Sequence, residues 1–182
     1  NSQTDHVLGH ELVHAFQYDI LKSADSLSLY NIQNLPLWMV EGMAEYLSLG
    51  RKDSHTAMWM RDAVVSKDFP SLRDLTTTNK YFPYRYGQAF WAYVAGVWGD
   101  TVVKPLFVNT AKFGYQMAVD STLGYEEKVM SNMWKTRTIE NYKPFMQDTI
   151  ALVGKKLIRQ EDLGEMNISP VLSPDGNFVT FF

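Results

Sequence analysis

His10-Glu11-Leu12-Val13-His14 places two imidazoles four residues apart, with a carboxylate beside the first. On a helix, residues i and i+4 lie on one face, so both rings can reach a single cation. Glu11 is one step round and can address a water on that cation rather than the cation itself. With four His and eight Glu in 182 residues, chance supplies such a pattern only on the order of 0.004 times per chain. A core helix with two unrelated histidines is therefore a poor competing account. His6 continues the stripe, but it lies about 12 Å from His14 at 1.5 Å per residue. One ion cannot take all three rings from a straight helix, so His6 is expected at the surface or in a pocket.

A catalytic zinc usually has three protein ligands and an open fourth position. The third ligand has to come from elsewhere, and His55 stands in no pattern that would bring it near. Trp38-Met39-Val40-Glu41-Gly42-Met43-Ala44-Glu45-Tyr46-Leu47 offers two carboxylates four apart on an otherwise apolar helix. Glu41 can ligate, while Glu45 hydrogen-bonds the second nitrogen of a ligand histidine and fixes its tautomer. The same residues, with Ser48, could also be the wet face of an amphipathic helix. Standing beside H-E-x-x-H, the pair is better read as site residues. Gln17 and Asp19 share the first helix and could equally orient the ligands or face solvent.

These groups need helices to hold them. Thr4 or Asp5 can cap a first helix over 4–21, with Val7, Leu8, Val13, Phe16 and Ile20 as its apolar positions. A polar stretch over 22–34 precedes Pro36, which opens a helix over 37–49 closed by Gly50. Further helices are expected over 54–67 and 84–98, with an irregular loop over 69–83 between them. Asp100 is expected to cap another short helix. Residues 124–153 form one long helix, or two divided near Pro144. The five tryptophans, Trp38, Trp59, Trp91, Trp98 and Trp134, are assigned to the core. Residues 167–172 and 177–182 are strand-like around the turn Ser173-Pro174-Asp175-Gly176. The expected fold is mainly α with a short β-hairpin-like tail, divided into a helical domain over 1–165 and the start of a β-rich domain over 166–182.

Composition sets the outer limits. Hydrophobic residues make up 46% and charged residues 20% of the chain, which suits a globular core rather than disorder. A net charge of −3 without a basic run argues against nucleic acid as a partner. There is no cysteine, hence no disulfide, thiolate ligand or Cys nucleophile. The longest nearly unbroken apolar run, 90–98, is about half of the ~20 residues a membrane span needs. The start on Asn1, with no signal-type segment, suggests a processed chain or an excised piece.

His-Glu-Leu-Val-His-Ala-Phe-Gln-Tyr-Asp at 10–19, followed by Trp-Met-Val-Glu-Gly-Met-Ala-Glu-Tyr at 38–46, resembles the gluzincin metallopeptidases of the bacterial peptidase MA-like group. The segment Tyr86-Gly87-Gln88-Ala89-Phe90-Trp91-Ala92-Tyr93 and, more faintly, the helix around 123–134 are similar to later parts of that group. Residues 169–179 resemble the opening repeat of a TolB-like β-propeller. The resemblance implies His10, His14 and Glu41 as ligands of one Zn2+ per chain, Glu11 as general base and Glu45 as the supporting acid. Two departures stand out. The 26 residues between His14 and Glu41 exceed the gap in thermolysin-like members. The strands that precede the zinc helix in such proteins are also missing from the sequence. The expectation is thus the C-terminal, helical part of a zincin-like domain, one that can lack turnover by itself.

The implied chemistry is peptide-bond hydrolysis. Zinc polarises the carbonyl and acidifies a water, and Glu11 takes its proton and passes it to the leaving amine. A second donor must meet the developing oxyanion; Tyr86 is the candidate with Tyr84 behind it, although both could be packed aromatics. A mixed N/O ligand set suits zinc. The expected partners are a peptide or protein substrate and a larger parent chain with a propeller. An extracytoplasmic bacterial location goes with that parent. The alternative is a non-catalytic zincin-like binding or assembly module.

Overall fold

The computed structural model describes residues 2–23, 29–146 and 169–181. Residue contacts divide the chain into two units, Asn1–Gln147 and Asp148–Phe182. The expected boundary near 165 and the C-terminal part of the expected 124–153 helix lie outside the described residues.

The described part of the first unit is built of helices: α1 (Ser2–Ser23), α2 (Leu37–Leu49), α3 (Ser54–Val65), α4 (Leu72–Thr77), α5 (Pro83–Trp98), α6 (Val103–Phe113), α7 (Tyr115–Leu123) and α8 (Glu127–Tyr142). The mainly α expectation holds. Pro36 and Gly50 bracket α2, and Gly50 has φ +82° with its N–H on the Tyr46 carbonyl. Pro83 takes the first position of α5, where its missing N–H costs nothing.

Helices α2 and α5 cross at the centre of the unit. The crossing is backbone on backbone: a Cβ added to Gly87 would sit 1.9 Å from the Trp38 carbonyl oxygen, and one added to Gly42 would sit 2.3 Å from the Gly87 Cα. Trp38, Met39, Phe90, Trp91, Phe107 and Trp134 are at most 1% exposed around this crossing. The two buried indoles on α2 and α5 keep their N–H groups paired, Trp38 with the Thr76 hydroxyl and Trp91 with the Met39 carbonyl, both at 2.9 Å. Trp59 is 36% exposed and Trp98 half-buried, so three of the five tryptophans are fully interior.

Several local expectations are corrected. The loop over 69–83 contains α4, started by a reciprocal capping box between Ser71 and Asp74. Asp100 does not cap a helix; its carboxylate accepts from the Tyr46 hydroxyl at 2.6 Å and from Arg51 at 2.9 Å. The third helix ends at Val65, before Lys67 at φ +58°. On α1 only part of the expected apolar set forms the packed side: Val13 is buried, and three others are not. Val7, Leu8 and Phe16 are 55%, 64% and 58% exposed, and α1 meets its neighbours through His10, Val13, Gln17 and Leu21. The packed side is mixed: His10 and Gln17 are buried beside Val13 and Leu21 because their polar groups find partners on α2.

In the second unit, β1 (Val171–Leu172) pairs antiparallel with β2 (Val179–Thr180), in the register Val171↔Thr180 and Leu172↔Val179. The turn is where the sequence placed it. The Gly176 N–H meets the Ser173 carbonyl at 2.9 Å, and Gly176 has φ +71°.

Candidate metal centre

Helix α1 lies beside α2 so that the His10–His14 face looks onto the Glu41–Glu45 face. His10 Nε2 is 3.1 Å from Glu41 Oε2 and 3.1 Å from His14 Nε2, and His14 Nε2 is 3.4 Å from Glu41 Oε2. Two nitrogens and a carboxylate oxygen thus form a nearly equilateral triangle. Tetrahedral zinc with ligand bonds of 2.0–2.2 Å has ligand-to-ligand edges of about 3.3 Å. The edges of the triangle are close to that spacing, so the donor set suits such an ion.

Proton counting points the same way. Glu45 Oε1 lies 3.0 Å from His10 Nδ1, but the contact is misaligned, and Nδ1 is a buried nitrogen without a hydrogen-bond partner among the described residues. The contact is electrostatic rather than a hydrogen bond. A neutral His10 has one proton for two nitrogens, each facing a carboxylate. Whichever nitrogen stays bare meets another lone pair, a conflict that a cation on the Nε2 side, or a second proton, resolves.

Glu45 is 4% exposed, which excludes the wet-face account of the carboxylate pair. It is held from three sides: His10 Nδ1, His6 Nε2 at 3.2 Å and Arg85 at 2.7 Å. Arg85 also reaches Asp53 at 3.5 Å. His6, expected at the surface or in a pocket, is turned onto Glu45. His6, His10 and Glu45 form a second group with metal-ligand character. The guanidinium on Glu45 already neutralises that carboxylate, so the His10–His14–Glu41 trio is the better seat for a cation. Arg85 was not singled out in the sequence; the available signal was that it is the only charged residue of α5.

Glu11 is exposed and makes no hydrogen bond or ion pair among the described residues. His55 is exposed on α3. The two tyrosines part company. Tyr86 is 5% exposed in the aromatic core, against Trp59, Phe69 and Tyr81, and burial pushes its hydroxyl up to about 12. Tyr84, two residues and about 200° away on the helix, stacks on His10 with ring centres 5.8 Å apart and planes 16° from parallel. Burial raises its hydroxyl, and the nearby carboxylates of Glu41, Glu45 and Glu11 add to the shift. The structure brings His10, His14, Glu41, Glu45 and Tyr84 together and leaves Tyr86 in the core.

A cavity of about 520 Å³ lies between α3, α5 and α8, lined by Thr56, Gln88, Tyr93 and Trp134 among others. None of the His/Glu group lines it, so it is separate from the cluster.

Fold and cluster together define a helical domain whose first two helices present a tight His/Glu triangle. The chain belongs to the BSP family, described as a peptidase of plants and bacteria, whose model matches residues 1–135. That span takes in every residue of the cluster and ends at the middle of α8. No curated protein and no solved structure matches the chain.

Proposed function

We propose that this peptidase-family domain is a zinc-dependent peptide hydrolase of the gluzincin type. The observation carrying the reading is the triangle of His10 Nε2, His14 Nε2 and Glu41 Oε2 with edges of 3.1–3.4 Å. Zinc bound there would supply Lewis acidity to polarise a scissile carbonyl and acidify a water.

The remaining roles fall to the chain's own groups. Glu11 is the exposed carboxylate beside His10, free to take a proton from the attacking water and hand it to the leaving amine. Glu45, oriented by Arg85, turns a carboxylate oxygen toward His10 Nδ1 and would favour a proton there when a metal occupies Nε2. Tyr84 replaces Tyr86 as the hydroxyl that meets the developing oxyanion. The resemblance of 169–179 to a TolB-like repeat adds a propeller-bearing parent chain and an extracytoplasmic location to the same reading.

The test is hydrolysis of an unfolded protein by the zinc-loaded chain, with and without a chelator. Cleavage that stops under chelation and returns with zinc supports the reading. Cleavage undiminished by chelation contradicts it. A zinc-loaded chain that cleaves nothing moves the non-catalytic module ahead.

A further inference from the structure

Gln17 is 4% exposed on α1, one turn beyond His14. Its amide has two ends, and both are engaged. Nε2 lies 2.9 Å from the carbonyl oxygen of Val40, on α2 next to Glu41, while Oε1 lies 2.8 Å from His14 Nδ1. A carbonyl can only accept, so the NH₂ end must face Val40. The oxygen is then left for His14, and an amide oxygen can only accept as well. His14 Nδ1 must therefore carry the proton of the neutral ring, which leaves Nε2 as a bare lone pair. That is the atom 3.1 Å from His10 Nε2 and 3.4 Å from Glu41 Oε2.

We infer that Gln17 is a positioning residue: it uses the Val40 carbonyl as a reference to lock His14 in the Nδ1–H tautomer, with Nε2 presented to a metal. The inference rests on the proposed reading of His14 as a ligand, but the tautomer belongs to the metal-free protein as well. Gln17 also ties the helix of His10 and His14 to the residue preceding Glu41, so one side chain serves ligands from both helices. His10 has no such lock, because its Nδ1 and Nε2 each face a carboxylate, at 3.0 and 3.1 Å; the amide whose direction the backbone dictates acts on His14.

The experiment is ¹⁵N long-range NMR of the metal-free chain at pH 8, which distinguishes Nδ1–H from Nε2–H imidazole, followed by zinc titration. The parent chain is expected to show His14 as Nδ1–H. Gln17→Met keeps the length and removes both polar ends; it should mix the tautomers and weaken zinc binding about 10–100-fold, the usual cost of losing an outer partner of a ligand. Gln17→Glu retains the acceptor and should keep the Nδ1–H form. An Nε2–H His14 in the parent overturns the inference even if neither variant folds. So does a folded Gln17→Met chain with unchanged tautomer and zinc affinity. If the parent shows the expected tautomer but binds no zinc, the metal reading fails and the Gln17 lock stands.

Discussion

Glu11→Gln should lower peptide hydrolysis by about 10²–10⁴-fold, the range general-base catalysis commonly supplies, while zinc content stays that of the parent. The substitution keeps shape and removes only the ability to accept a proton as a base. Its effect separates from that of the other carboxylates because their surroundings differ. Glu45 is 4% exposed and paired with Arg85, and Glu41 touches both imidazoles. Glu11 is exposed and unpaired among the described residues. A carboxylate in that state has its lone pairs available for a water. Steady-state kinetics with parallel metal analysis measures both quantities. Activity retained within a few-fold, with zinc in place, would remove Glu11 from the mechanism.

Gly87→Ala is expected to destabilise the first unit by about 3 kcal/mol or more, at the upper end of overpacking costs. The added methyl would meet backbone on two sides, the Trp38 carbonyl at 1.9 Å and the Gly42 Cα at 2.7 Å. Neither atom can turn aside as a side chain would, so α2 and α5 must separate, carrying Glu41 and Glu45 away from the site. The same substitution at Gly96, on the same helix but with nothing within 4 Å of its Cβ position, should instead stabilise by up to ~1 kcal/mol through helix propensity. Denaturant midpoints of the two variants give the comparison. Equal stability of Gly87→Ala and the parent would mean that the helices do not cross in backbone contact.

How much of this was legible depends on how local each signal is. The boundaries of α2 follow from Pro36 and Gly50, which act on their own residues. The hairpin turn follows from Ser173-Pro174-Asp175-Gly176 in the same way. The H-E-x-x-H stripe needs only helical periodicity to bring His10 and His14 together. Choosing Tyr84 over Tyr86 needs more, because both lie near the start of one helix and only the packing of α5 on α2 decides which faces His10. Gln17 and Arg85 are harder still. Each is buried to serve a residue on another helix, and sequence pattern cannot distinguish such a polar group from one facing water. Hydrophobic periodicity misleads on α1, where Leu8, Leu12 and Phe16 are more than half exposed while His10 and Gln17 are buried. Burial there follows hydrogen-bond partners at His10 and Gln17 as much as apolar character at Val13 and Leu21. Ser71-Leu72-Arg73-Asp74 carried a capping signal for α4 that the following threonines obscured.

His10, His14 and Glu41 are proposed to hold one metal ion. Elemental analysis of the 182-residue chain, purified without added metal, tests it directly when run beside Glu41→Ala. About one zinc per chain is expected for the parent, as for a single three-ligand site, with most of it lost in the variant. A parent that carries no zinc even after incubation with it, or a variant that retains it undiminished, would contradict the account.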